Sequence, residues 1–446
     1  MQPPVDLPQR FALRPVCFGL TLALSGFALD ALACDPQAGR LSAIEGRVEV
    51  RAATSKVWQT ASARQILCPG DQVAVRGPGR AAVVLSQDVL VRLDQNTTLT
   101  LPPAANSGEL GLGHGVVHVI SRFSKRFGVI TPFVNALVDG TEFTVASDDT
   151  RARVVVAEGR VRTANSAGEQ SLGAGEASEA RAGSAPGSIA VRPLDAVAWA
   201  IHYPNVVRLS DAELAASPPA IRQQLDAARR DADRGRFREA LDTLSTLPET
   251  DTQPNLAALK ASALLGIGRV DEARVLIARF APDASASLAA VEAIVLVARN
   301  DSSAAETAAR RAVSLDANSA AARLALSYAL QSARHLPAAL VAAEEATALD
   351  ATDPTAWTRR AELELSLGRS EASGDSARRA VALGPDTPRA RAMAAFARLI
   401  AGDTDAAATD FQSILDSNDA EPLAHFGLGL ALLRQGHTEE IGRAHV

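Results

Sequence analysis

One spacing constrains this chain more than any other feature: small and apolar residues recur every 34 positions through its C-terminal half. Gly368, Gly402 and Gly436 keep that interval, as do Ala304, Ala338, Ala372 and Ala406, and also Leu315, Leu349 and Leu383. Looser copies precede them, with Gly235-Arg236-Phe237-Arg238-Glu239-Ala240 and Gly268-Arg269-Val270-Asp271-Glu272-Ala273 lying 33 apart. A period of this length holds two short helices and two turns. The glycine is expected to end the first helix, where a left-handed residue is favoured, and the alanine to open the face on which the second helix approaches the first. One such hairpin cannot bury its apolar side alone. Neighbours must stack, which predicts an all-α, right-handed superhelical solenoid of about six copies over residues 220–440.

The preceding half keeps another rhythm. From Ala38 to about Glu176, short apolar runs alternate with turn signals every ~8–12 residues, as in an all-β domain. In Val89-Leu90-Val91-Arg92-Leu93 the alternation turns Val89, Val91 and Leu93 one way and Arg92 the other. Phe143-Thr144-Val145, the turn Asp148-Asp149 and Arg153-Val154-Val155-Val156 read as a hairpin. The β domain is therefore placed at 34–176, followed by a linker and apolar connector at 177–219. Ala177 to Ser188 is rich in Ala, Gly, Ser and Glu without a hydrophobic period, and reads as a flexible linker. Because that stretch offers few residues able to dock, the helical half is expected to fold without the β half. Further on, Val197 to Pro204 holds Trp199 and Tyr203, for which packing onto one of the domains is favoured over a ligand surface.

The first residues, 1–33, read as a signal peptide: Arg10 and Arg14 precede an apolar run from Val16 to Leu29, and Ala31-Leu32-Ala33 supplies a small-x-small cleavage pattern. Cleavage there places the mature protein in the periplasm or cell envelope. Cys34 then becomes the first mature residue, so a lipid anchor at Cys34 stands as the alternative to ordinary cleavage. Of the three cysteines, loss of the leader removes Cys17 and leaves Cys34 and Cys68. An oxidising compartment favours a disulfide between them, against two buried thiols or a lipidated Cys34 with Cys68 alone. At the other end, Ile441-Gly442-Arg443-Ala444-His445-Val446 reads as a non-native tail that cuts the chain within a repeat, leaving Phe426, Leu428, Leu430, Leu432 and Leu433 on an uncapped end.

Charge and chemistry exclude several function classes. With 45 basic and 51 acidic residues the chain has no positive excess for a phosphate backbone, and nucleic acid is not an expected partner. His114 and His118 lie ~13 Å apart if their run is a strand, too far to share a metal. Arg122, Lys125 and Arg126 beside Phe123 and Phe127 read as a charged strand edge before a patch for an acidic glycan or lipid headgroup. Gly111-Leu112-Gly113-His114-Gly115 lacks the Lys-Ser/Thr and helix of a phosphate loop. No Gly-x-Ser-x-Gly elbow, His–Cys pair or metal-ligand cluster is present, so neither catalysis nor a cofactor is expected.

Two resemblances add to this reading. Thr131-Pro132, then Gly140-Thr141-Glu142-Phe143, then Glu158-Gly159-Arg160-Val161, then Leu172-Gly173-Ala174-Gly175-Glu176 resemble successive landmarks of the FecR domain, with Gly140, Thr141, Phe143, Gly159, Val161 and Gly175 the most telling. Residues 220–440 resemble tetratricopeptide (TPR) repeats, with Ala and Leu in place of many of that family's aromatics. Together they resemble exported proteins that join a FecR domain to TPR repeats. FecR-type regulators carry a cytoplasmic arm that contacts a sigma factor, whereas a leader stands in its place here, so direct contact with a sigma factor is not carried over. What the resemblance implies is a non-catalytic scaffold that binds protein or peptide through the repeats, with an envelope glycan or outer-membrane component as a further partner. The alternative is an envelope signal-relay component related to FecR-type sigma regulators.

Overall fold

The structure is a computed structural model that describes residues 34–86, 89–104, 108–121, 127–138, 141–191, 196–201, 203–418 and 421–437. The leader, the basic patch at 122–126, Gly140 and the tail at 441–446 lie outside the described residues.

The β half runs through β1 (Gly39–Arg51), β2 (Gln59–Thr60), β3 (Ile66–Leu67), β4 (Gln72–Leu85), β5 (Val89–Leu93), β6 (Thr98–Thr100), β7 (Glu109–Ser121), β8 (Phe127–Ile130), β9 (Asn135–Val138), β10 (Glu142–Ser147) and β11 (Arg151–Glu158). It closes with β12 (Arg160–Asn165), β13 (Gly168–Gly173), β14 (Ala177–Arg181) and β15 (Gly187–Ser188). The central strand is β7, antiparallel to β5, β6 and β10 and parallel to β8. Long β1 and β4 pair along their whole length, with bulges that bend them around one core. Alternation decides which side chains enter it: Val89, Val91 and Leu93 are buried while Leu90 and Arg92 are not fully so. Cys34 and Cys68 are joined by a disulfide, their Cα atoms 5.6 Å apart.

The expected flexible linker at 177–188 is not one. Ala177–Arg181 is strand β14, antiparallel to β11, and Gly187–Ser188 pairs back onto it. Ala177, Ser178 and Ala180 are buried. Glu179 on the same strand meets Arg151 at 3.1 Å, Arg153 at 3.2 Å and Arg181 at 3.0 Å. A hydrophobicity scan sees none of this, because the segment is held by backbone pairing and ion pairs. The β unit thus extends to Ser188 rather than stopping at Glu176.

After a short helix α1 (Asp211–Ala216), the helical half is built of hairpins: α2 (Pro219–Asp233) with α3 (Phe237–Ser245), α4 (Pro254–Gly266) with α5 (Val270–Ile277), α6 (Ala286–Ala298) with α7 (Ser302–Leu315). There follow α8 (Ala320–Ser332) with α9 (Leu336–Leu349), α10 (Pro354–Ser366) with α11 (Ser370–Leu383), α12 (Pro388–Ile400) with α13 (Thr404–Ser417), and a last first helix, α14 (Pro422–Gln435). Each first helix ends in a left-handed residue: Gly235, Gly268, Gly368, Gly402 and Gly436, and also Asn300 (φ 55°) and Arg334 (φ 65°). The glycine column was legible in the sequence. Its two non-glycine members were not, because only the backbone reveals them.

The alanine column lies one residue away from where the period alone puts it. Ala304, Ala372 and Ala406 are half-buried and Ala338 is exposed, while Ala305, Ala339, Ser373 and Ala407 are buried. One residue turns a helix by about 100°, so a column shares a period with its neighbour yet faces elsewhere. One turn on, Ala309, Ala343 and Ala377 hold the next close contact, and in the last hairpin Phe411 takes that place. Gly427 of α14 makes room for it, since a Cβ there would overlap the Phe411 ring. On the same helix Phe426 and Leu433 stay about half exposed, at 52% and 54%.

Candidate binding groove

The helical half does not stand apart from what precedes it. Residues 203–209 run without helix or strand along the inner face made by the first helices. Val206 and Val207 are 2% and 6% exposed and belong to the same core as α4 and α6, with Tyr203 and Leu209 packed against it. The polar contacts are specific. The Tyr203 N–H donates to the Leu265 carbonyl at 3.3 Å, the Ser262 hydroxyl lies 2.6 Å from Asn205 Oδ1, and Arg208 clasps Asp233 through two bonds of 2.8 and 3.0 Å. A planar guanidinium facing both oxygens of a carboxylate fixes orientation as well as charge. Tyr203 thus packs onto a domain, as its place in an apolar connector leads one to expect, and residues 203–209, placed by the sequence in the connector before the repeats, join the core of the helical half.

Beside Tyr203 and Asn205 a cavity of about 110 Å³ opens, walled by Phe237, Tyr328, Arg359, Arg389, Asn418 and Glu421 among others. Its floor is a buried ionic cluster. The Arg359 guanidinium stacks 3.8 Å from the centre of the Tyr328 ring and donates to Ser327 Oγ at 2.8 Å, Gln331 Oε1 at 2.6 Å and Glu362 at 3.0 Å. Glu362 is shared with Arg389, which also reaches Glu421 at 3.8 Å. Burial works to raise the Glu362 pKa, but Arg389 and Arg359 outweigh it and hold the carboxyl below its ordinary value. Burial also pushes the Tyr328 phenol up to about 12. In the repeat register Arg359 shares a column with Ala325, Met393 and Gly427, all buried. A charged residue at a core position of the period was the signal that could have exposed this cluster from sequence.

A wider channel of about 890 Å³ continues past Val206 to Glu213, its far wall formed by the loops that open α6, α8 and α10 and by Leu315, Leu349 and Leu383. Asp353 on this wall is 5% exposed and caps α10; burial raises its pKa to about 6 despite the Thr355 N–H.

The two halves meet at a joint. Arg238 of α3 donates to the Pro78 carbonyl. Gly268 lies so close to the Ile201 carbonyl and the Arg80 guanidinium that a Cβ would fall 2.8 and 2.9 Å from them. Asp94 beside this joint has its pKa raised by burial to about 6, with Arg80 and Arg269 pulling the other way from opposite halves.

The remaining sequence candidates are structural in position. His118 is buried with Nε2 3.0 Å from Glu142, and burial and Arg92 depress its pKa against the pull of Glu142; His114 is exposed. Asp148 caps its turn by accepting from the Thr150 and Arg151 N–H groups. Thr131 does the same before β9, accepting from Val134 N at 2.9 Å and donating to its carbonyl at 2.7 Å. Phe143 and Val161 are fully buried, Thr141 nearly so, and Gly159 and Gly175 adopt φ of 84° and 87°. Among the described residues no group of three or more His, Cys, Asp and Glu could hold a metal ion, and no helix is long and apolar enough to cross a membrane.

Residues 71–162, from β4 to β12, match the family model described as FecR protein. The chain carries a FecR domain. Joined to this FecR domain are TPR-like helical repeats, as the 34-residue hairpins show. Solved structures similar to it include the APC/C hetero-tetramer Cut9-Hcn1, with a TM-score of 0.47, 15% identity, and 52% of this chain against 47% of that one. The chain thus spans less than half the length of that protein. A candidate anti-sigma factor from Parabacteroides distasonis ATCC 8503 has a TM-score of 0.27 at 17% identity, over 30% of this chain and 67% of that one. YrrB, a TPR protein with an unusual peptide-binding site, has a TM-score of 0.29 at 17% identity, over 36% of this chain and 84% of that one. The comparison with curated proteins returned no match.

Proposed function

We propose that this protein is a non-catalytic interaction scaffold of the periplasm or cell envelope, which holds protein or peptide partners on the inner face of its TPR-like repeats while the FecR domain positions the array. One observation carries the reading: the inner face already holds a seven-residue stretch of polypeptide without helix or strand, with branched side chains in an apolar slot and an arginine clasped by Asp233. A surface that satisfies a segment in this way has the chemistry to take others. The leader-like N-terminus supports export. Affinity capture from a periplasmic extract, with the full chain as bait and an Asp233→Lys chain as control, tests the proposal. Partners retained by the first and lost by the second support it; identical recoveries would count against the inner face as the binding surface.

A further inference from the structure

Building on that reading, we propose that Tyr203–Leu209 is a resident ligand of the inner face, and that the partner this face fits is an extended segment with two β-branched apolar residues followed by an arginine, which enters by displacing the connector. If the reading above fails, this inference falls with it; the reverse does not hold.

The contacts of the connector are of the kind a separate peptide would make. One backbone N–H reaches Leu265, one amide side chain reaches Ser262, Val206 and Val207 fill an apolar slot, and Arg208 pairs with Asp233. These groups belong to α2 and α4, which are complete helices without the connector. The connector also leaves space beside it, with the 110 Å³ cavity next to Tyr203 and Asn205 and the 890 Å³ channel along Val206 to Glu213. A segment that filled the bore would have to be unthreaded; one that lines a single wall can be exchanged from the open side. Charge favours a basic occupant, since Asp283, Asp316 and Asp350 line the channel opposite Arg208. Tethering makes the connector a strong competitor, because a linked segment acts at an effective concentration near the millimolar range. A partner must therefore be abundant, multivalent or better matched than the connector itself.

The experiment uses the full chain and a fluorescein-labelled synthetic peptide of residues 203–209. Three chains are compared by fluorescence anisotropy: unsubstituted; Val206→Ser with Val207→Ser and Arg208→Ser, which weakens the tethered segment and leaves the groove intact; and that triple substitution combined with Asp233→Lys. The expected result is at least 10-fold tighter binding by the triple variant than by the unsubstituted chain, lost again on Asp233→Lys. Equal affinity of the first two chains, with helical circular dichroism and a cooperative melt retained, would overturn the proposal. Should the triple variant fail to fold, hydrogen exchange of residues 203–209 in the unsubstituted chain decides. Excess peptide is expected to speed their exchange, and unchanged exchange while captured partners still bind would refute displacement and leave the scaffold reading standing.

Discussion

The two halves of this molecule are stabilised in opposite ways. In the FecR half hairpins of consecutive strands are tied together by pairings between strands further apart in sequence, β1 with β4, β7 with β10, β9 with β12 and β11 with β14, around one core. Removing one member loosens the whole. In the helical half each hairpin rests on its neighbours, and the core divides into stretches near Val206–Leu363 and Ala361–Ala431. Damage there stays local. The comparison teaches where function can reside: an array that tolerates local rearrangement can exchange an inner segment, while a closed β core is suited to holding position.

The largest effect that tests this contrast is Phe143→Ala. Phe143 is fully buried in β10, and truncation of such a ring costs about 3–5 kcal/mol. Urea unfolding followed by near-ultraviolet and far-ultraviolet circular dichroism is expected to show the β half melting early while the helical signal keeps its transition. A shared shift would mean that the halves are one cooperative unit.

Next in size, replacing Cys34 and Cys68 by serine opens a loop of 34 residues and is expected to cost the β half about 3–4 kcal/mol in the chain-entropy model. Reduction with dithiothreitol should lower the same transition and leave the helical one unchanged.

These expectations show what the sequence could and could not convey. The period of 34 located the hairpins and the turn glycines, because a repeated constraint is written several times over. The FecR landmarks were legible because buried Phe143 and Val161 and left-handed Gly159 and Gly175 each admit few residue types. Strand β14 was missed because Ala, Ser and Glu are held there by backbone pairing and ion pairs, and the alanine column was missed by one residue because a period fixes spacing and not facing. The groove was illegible for a different reason: the contact of Arg208 with Asp233 and that of Asn205 with Ser262 join segments that no periodicity links.

A smaller effect concerns pH. Asp94 at the joint and Asp353 on the channel wall both have pKa values of about 6, raised by burial from 3.8. Between those values the folded chain binds protons that the unfolded chain has released, so these groups make stability fall as pH rises from about 4 to about 6 and contribute no further slope above. Groups held below their ordinary value, such as Asp211 and Glu362, act only at lower pH, where protonation removes their contribution. Asp353→Asn keeps a helix-capping side chain and is expected to raise helical stability at pH 7 by about 2 kcal/mol, with the gain falling to about a third of that at pH 4.5. Denaturation midpoints at the two pH values check this; equal gains at both would contradict the assigned titration.

The smallest effect lies in the turn column. Arg334 adopts φ 65° where the corresponding position of the next repeats is glycine. Arg334→Gly is expected to stabilise the α8–α9 hairpin by up to about 1 kcal/mol by relieving left-handed strain, partly offset by glycine's greater unfolded freedom. Hydrogen exchange should show the gain confined to this hairpin and its neighbours, and a gain spread to the β half would break the contrast.

The claim at the centre of this account is that the inner face of the repeats holds residues 203–209 as part of its core, and comparison of two fragments tests it most directly. Residues 203–437 retain the connector and residues 210–437 lack it. Burial of Val206, Val207 and the flanking contacts, offset by the entropy of ordering the segment, is worth about 2–4 kcal/mol, which for a fragment of this size corresponds to roughly 5–15 °C. The account predicts that the shorter fragment melts lower by that amount and regains the difference when the peptide of residues 203–209 is added in excess. Equal melting temperatures, with no response to the peptide, would contradict it.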